Sequence, residues 1–379
     1  MATVGDNEPM ARRCLIPTTA VAVSVLLVSA CTSAPSKGAA SPARATSTAT
    51  ATSAASAGSA AVTVLADHLD VPWDVSFLPG GSALMTLRDK AHVLRVSPTG
   101  GTTDLGAVPG VVPDGEGGLL GIAASPAYAT DHTVFLYFTA AQDNRIARAK
   151  IEGDRLTGVT PILTGIHKAG THNGGRIAFG PDGYLYAGVG DAGDGDVAQD
   201  KDALNGKILR LTTDGKAAPG NPFGNAVWSY GHRNVQGLAW APDGTMYASE
   251  FGQNTWDELN RIEKGRNYGW PRVEGRAGNP AYVDPLVQWK TEDASPSGIA
   301  YADGSVFMAA LRGESLWRIP VQPSVGTPQR LLQGTYGRLR DVALAPDGRL
   351  WVLTSNTFRG QPGPDDDRLL SVAVGDATN

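Results

Sequence analysis

The residues best suited to chemistry lie within 170–191, where Gly-Thr-His-Asn-Gly-Gly-Arg runs into Ile-Ala-Phe and then a Gly-Pro-Asp-Gly turn. His172 is followed by Asn173, Gly174 and Gly175, so little side-chain bulk would keep another molecule from its imidazole. Imidazole titrates near neutrality and can take or give a proton there. The same pattern also fits a tight bend with His172 closing a strand, and the residues alone leave both open. Three further stretches put charge or glycine clusters beside apolar runs. They are 114–121, with Glu116; 230–238, with His232, Arg233 and Asn234; and 337–341, with Arg338 and Arg340. Arginines two apart in a strand share a face. With Arg233 and Arg176 they can form a cationic rim for a planar ligand bearing carboxylates, held by bidentate pairs, or they can serve as structural bridges. Asp191, Asp194, Asp196 and Asp200 crowd one loop without the ligand order or closing Glu of an EF-hand, and read as a solvated loop.

These residues need a scaffold, and the chain of 379 residues, with 47 Gly and 25 Pro, is too rich in turn formers for a helical bundle. Six turns of related type each precede an apolar strand: Leu78-Pro79-Gly80-Gly81, Ser125-Pro126, Gly180-Pro181-Asp182-Gly183, Ala241-Pro242-Asp243-Gly244, Ala302-Asp303-Gly304 and Ala345-Pro346-Asp347-Gly348. They recur at intervals of 44 to 61 residues, the size of a propeller blade. No amphipathic helix separates them. The expectation is an all-β, six-bladed β-propeller, with the strand near Val62 sharing a blade with the last strand, 369–374, to close the ring. A net charge of −5 gives no electrostatic footprint for nucleic acid.

The first 61 residues read differently. Arg12 and Arg13 precede an apolar run over 15–30 that ends Val28-Ser29-Ala30-Cys31, which resembles a lipoprotein cleavage box. The expected organisation is a signal peptide over 1–30, with Cys31 as the lipidated first residue of the mature chain. A flexible Ala/Ser/Thr-rich tether follows over 31–61, and a propeller catalytic domain over 62–379. The protein would be exported and lipid-anchored on the outer face of a bacterial cell membrane, or periplasmic. Cys14 would leave with the signal, so no disulfide is expected.

The ordered motifs His172-Asn173-Gly174-Gly175-Arg176, Gly190-Asp191-Ala192-Gly193-Asp194, Gly206-Lys207-Ile208-Leu209-Arg210, Gly231-His232-Arg233-Asn234, Asp257-Glu258-Leu259-Asn260 and Asn267-Tyr268-Gly269-Trp270-Pro271 resemble the soluble pyrroloquinoline quinone (PQQ)-dependent aldose and glucose dehydrogenases. That resemblance implies a six-bladed propeller that oxidises aldose sugars at C1 to the lactone by hydride transfer to the quinone. It makes His172 the general base and Arg233 the group that steadies charge on the quinone oxygen. It also implies that Asn234, Arg312, Arg338 and Arg340 bind the cofactor and that Glu116 lies at the substrate. One Ca²⁺ would sit on the main-chain carbonyls of Gly252 and Gln253, and a second on Glu258 and the Tyr268 carbonyl. The electron acceptor stays unnamed. The chain departs from the glucose-oxidising members in having Arg312 for Lys, Glu116 for Gln, Thr171 for the acid before the histidine, and Gly252-Gln253 for Gly-Pro. Two alternatives are a noncatalytic propeller that serves as a binding module and a metal-dependent propeller lactonase.

Overall fold

The computed structural model describes residues 62–375. Cys31, the signal and the tether lie outside the described residues. Six four-stranded antiparallel sheets follow one another around a ring. The first strand of each lines the axis: Pro72–Phe77, Leu119–Ala124, Ile177–Phe179, Val235–Trp240, Pro296–Ala302 and Leu339–Leu344. The expected turns all join the first strand of a blade to its second, as in Gly180 N–H to Tyr184 O at 3.0 Å and Ala345 N–H to Arg349 O at 2.8 Å. Blade two is the exception. Ser125-Pro126 is not followed by glycine, and the connection widens into a short helix, Tyr128–Asp131, fastened by Ser125 Oγ to Asp131 Oδ2 at 2.7 Å. The ring closes as expected, because Val62, Thr63 and Val64 pair with Val372, Ser371 and Leu370 in the sixth sheet.

Between neighbouring blades the strand faces bury their apolar residues. Leu84, Val93, Leu136, Leu209 and Phe307 are fully buried, and each stabilises the ring by roughly 1.5–3 kcal/mol through removal from water. At the centre the packing is polar. Arg176 is ion-paired with Asp74 and lies 3.0 Å from Asp341, and its Nε donates to Gln236 O at 2.9 Å. The indole of Trp73 covers the guanidinium at 4.5 Å. Of the two alternatives, Arg176 therefore takes the structural bridge and does not join a cationic rim. Acid side chains from blades one and six hold it, and the group plugs the axial channel.

Burial pushes the Asp74 carboxyl up to about 8, with Arg176 opposing the shift and the charge of Asp341 adding to it. Burial raises Asp341 in the same way. A raised carboxyl contributes stability that is full below its unfolded pKa and is lost as pH climbs through its folded one. The melting temperature is accordingly expected to fall between about pH 4 and 8. Asp74→Asn should flatten that slope by roughly 2–4 °C. Equal slopes in the two proteins would remove Asp74 as the titrating group.

Candidate active site

His172 sits in a loop that reaches the axis just before the inner strand of blade three. Its own φ is 56°, in the left-handed region, and Gly174 follows at 62°. The loop lies so close to the end of strand Leu185–Val189 that a Cβ on Gly174 would come 2.4 Å from Gly188 O. On Gly190 it would come 1.9 Å from His172 O. The glycines thus serve close backbone approach. That approach carries the imidazole to Asp191: His172 Nδ1 lies 2.8 Å from Asp191 Oδ1. Asp191 Oδ2 accepts from Trp270 Nε1 at 2.8 Å, and its Oδ1 also accepts from Gly193 N–H at 2.8 Å. Burial alone would push this carboxyl up, but the hydrogen bonds from His172, Gly193 and Trp270 outweigh it and hold the acid below the usual carboxylate range. A permanent carboxylate at Nδ1 keeps the proton there and leaves Nε2 as the basic nitrogen.

The second feature is a cavity of about 220 Å³ at this end of the axis, whose lining includes Trp73, Glu116, His172, Arg233, Asn234, Arg338 and Arg340. The Nε atoms of Arg233, Arg338 and Arg340 are all buried without a hydrogen-bond partner. A buried guanidinium with an N–H left unpaired is costly, so three of them around one cavity suit an anion. Burial, then the like charges of Arg88 and Arg338, push Arg340 down to about 9. Burial lowers Arg233 and Arg338 as well. Arg340 is fixed from behind by Nη1 to Gln236 Oε1 at 2.9 Å. Arg233 is fixed through its main chain, since its N–H donates to Glu250 Oε1 while Glu250 Oε2 holds His232 Nδ1 at 2.8 Å. Asn234 Oδ1 accepts from Gly174 N–H at 3.0 Å, which leaves its amide protons as what it can offer a ligand. Across the mouth, Glu116 Oε2 accepts from His172 N–H at 3.1 Å and Oε1 pairs with Arg359 Nη1 at 2.7 Å. A wider cavity of about 530 Å³ adjoins the first and shares His172 and Arg233 with it, adding Asp191, Gln253 and Trp270.

Two places suit a cation. The carbonyl of Gly252 accepts from Arg233 Nη1 at 2.5 Å, so a positive group already rests on it. Glu258 is 8% exposed; burial and then the charge of Glu250 push it up to about 8. Beside it Asn260 donates Nδ2 to Glu258 Oε2 at 2.9 Å while its own Oδ1 is buried without a partner. A buried carboxyl, its Oε1 taking only Gly275 N–H at 2.8 Å, next to an orphaned amide oxygen is an oxygen donor set of the kind Ca²⁺ takes. Tyr268 is buried in the same region, with its ring stacked on His232 at 4.6 Å.

The structure therefore brings His172, Arg233, Asn234, Arg338, Arg340 and Glu116 around one cavity, with Gly252 at its edge. Arg312 is not among them. It is exposed, and its neighbour Leu311 lines the cavity instead. The expectation of a solvated acidic loop holds for Asp194, Asp196 and Asp200, which are exposed, but fails for Asp191, which is 1% exposed. The only signal for Asp191 was its place two residues after the second strand of its blade, Leu185–Val189, on the same end as His172. Trp73, Phe358 and Arg359, which also line the cavity, carried no signal in the sequence.

The fold and the site together define a six-bladed propeller whose axial pocket is built for an anionic ligand beside an aspartate-held histidine. The chain belongs to the Glucose / Sorbosone dehydrogenase family, whose sequence model matches residues 69–360, and is an oxidoreductase by that membership. It is 32% identical over 335 residues to the aldose sugar dehydrogenase YliI of Escherichia coli, covering 78% of this chain and 90% of that one. It is 30% identical over 283 residues to quinoprotein glucose dehydrogenase B of Acinetobacter calcoaceticus, covering 64% of this chain and 59% of that one. Among solved structures, the PQQ-bound form of aldose sugar dehydrogenase from Streptomyces coelicolor superimposes with a TM-score of 0.79 at 55% identity, over 82% of this chain and 97% of that one.

Proposed function

We propose that this protein oxidises aldose sugars at C1 to the lactone with PQQ as cofactor and Ca²⁺ as its partner ion. The observation that carries the reading is the trio of buried, unpartnered Nε groups on Arg233, Arg338 and Arg340 beside the Asp191-held His172. A tricarboxylated quinone fits that charge, and PQQ is what the Streptomyces coelicolor relative holds. When bound, the quinone would supply a hydride acceptor for the sugar and Ca²⁺ a Lewis acid beside it. Arg338, Arg340 and Asn234 would hold the carboxylates and ring oxygens. Gly252 and Gln253 would offer their carbonyls to one Ca²⁺, and Glu258, Asn260 Oδ1 and the Tyr268 carbonyl to a second.

His172 performs the proton chemistry. Its Nε2 takes the proton of the anomeric hydroxyl, and Asp191 stabilises the imidazolium that results, since the carboxylate is already ionised and already bonded to Nδ1. Arg233 keeps a fixed positive charge next to the base, where negative charge must develop, and its backbone anchor to Glu250 keeps that charge in place. Glu116 faces the same mouth and would meet the sugar. A binding module would have no use for a base oriented by a buried acid. The pocket lining carries Arg88, Arg233, Arg338, Arg340 and Arg359 against one acid, Glu116, and this charge favours the dehydrogenase over a metal-dependent lactonase. Reconstitution with quinone and Ca²⁺ tests the reading by dye reduction over a panel of aldoses. Sugar-dependent reduction that needs both additions is expected, and none across the panel would sink it.

Export and anchoring are part of the proposal, supported by Arg12, Arg13, the apolar run and Cys31 in the sequence. Cys31→Ser should move the protein from the membrane fraction to the soluble one or leave it unprocessed, because one acyl chain binds weakly and such cysteines carry more than one. Mass spectrometry finding an unmodified Cys31 in the mature protein would end this part.

A further inference from the structure

One carboxylate oxygen gathers an unusual number of donors. Glu274 Oε1 accepts from four consecutive main-chain N–H groups: Gln253 at 2.7 Å, Asn254 at 3.0 Å, Thr255 at 2.8 Å and Trp256 at 3.1 Å. Four amides that converge in this way form a concave nest, and they repel one another unless an anion fills it. Burial would push Glu274 up, but the four amides prevail and hold it below the usual range. The clamp has a second jaw on the other side of the turn. Asp257 Oδ1 accepts from Gly252 N–H at 2.9 Å, and Asp257 Oδ2 accepts from Ser295 N–H at 2.6 Å. Gly252 has no room for any other residue between them, since a Cβ there would lie 1.9 Å from Trp256 O and 2.7 Å from Glu274 Oε1. With its N–H groups turned to the two acids, the turn has its carbonyls left for other partners. The Gly252 carbonyl is the one on which Arg233 rests.

We infer that Glu274 is a positioning residue for the cation site: its carboxylate shapes the turn so that the Gly252 and Gln253 carbonyls are set for Ca²⁺ before the ion arrives. The inference rests on the quinone and calcium reading above and adds to it a residue of the wider adjoining cavity that does not line the arginine pocket. Without the anion the four amides must find water, the turn relaxes, and the two carbonyls have to be reassembled by the ion itself. The ion then has to reorder the turn itself, and the expected penalty on calcium binding is at least about tenfold.

The test uses the full chain freed of metal with a chelator and mixed with PQQ. Quenching of tryptophan fluorescence by the bound quinone then gives the Ca²⁺ concentration for half-maximal cofactor retention. Glu274→Ala should raise that concentration at least about tenfold, and Glu274→Gln, which keeps the size and an acceptor but not the charge, should fall between. Dye reduction at saturating Ca²⁺ should return to within about twofold of the parent in both variants, a rescue that a general structural defect would not show. Hydrogen exchange at residues 253–256 should quicken in Glu274→Ala. A half-saturating Ca²⁺ concentration equal to the parent's, or a loss of turnover that calcium does not restore, would overturn the inference while leaving the cofactor assignment standing. A parent chain that retains no quinone at any Ca²⁺ concentration would overturn both.

Discussion

His172→Ala is expected to lower turnover by about 10²-fold or more while leaving folding and cofactor retention nearly intact, the usual scale for loss of a general base. The side chain is 19% exposed and contacts Asp191 through one ring nitrogen, so its removal opens no large void in a blade core. The anchors of the anionic pocket are elsewhere: Arg340 is held by Gln236 and Ser297, and Arg233 by Glu250. Binding and chemistry should therefore separate in this variant. Pre-steady-state mixing of the loaded enzyme with sugar is the direct measurement, because it reads the first turnover without the electron acceptor. A variant with parental first-turnover rates would take His172 out of the reaction.

Adding PQQ and Ca²⁺ together should raise thermal stability as much as it raises activity. The reason is the charge left uncompensated in the pocket. Arg340 is 4% exposed and has Arg88 and Arg338 as like-charged neighbours, while three buried Nε groups lack partners. An anion bound to the folded state alone stabilises it by about 2.7 kcal/mol at a hundredfold excess over its dissociation constant. The second Ca²⁺ of the proposal would add to this, because an ion at Glu258 would offset the charge of Glu250 on it and give Asn260 Oδ1 a partner. A chelator should accordingly cost both rate and melting temperature. Mg²⁺ should replace Ca²⁺ poorly, being smaller and strict about octahedral geometry. Differential scanning calorimetry that shows no shift with both ligands present would count against the whole assignment of the pocket.

The ring was legible because its signals are local. A Pro-Asp-Gly turn fixes its own backbone, and the alternation after it fixes a strand, so six such units could be counted without knowing what they pack on. The His172 loop was legible for the same reason, through its glycines. Asp191 was not. Its burial depends on His172, 19 positions earlier, and on Trp270, 79 positions later, and nothing in its neighbourhood separates it from Asp194 or Asp196, which are exposed. Arg176 shows the opposite failure. Its charge was legible, but its partners come from blades one and six, and a strand's alternation does not say which of two axial neighbours a long side chain will meet. Arg312 was placed by resemblance, and local sequence offered nothing to show that it would face solvent.

The plug of Asp74, Arg176 and Asp341 under Trp73 has a bearing on traffic. A propeller with an open bore could admit one reactant from each end, whereas here Arg176 and both acids are at most 5% exposed and Trp73 is 1% exposed. The pocket is a cul-de-sac. On the proposed reaction, sugar, lactone and the species that carries electrons away would all have to enter and leave at the end of the axis that holds His172, Glu116 and Arg359, and so would queue for it. The opposite end of the bore, with its inner-strand lining of Ile122, Ile177, Ile299 and Val342, is left without any part in that exchange.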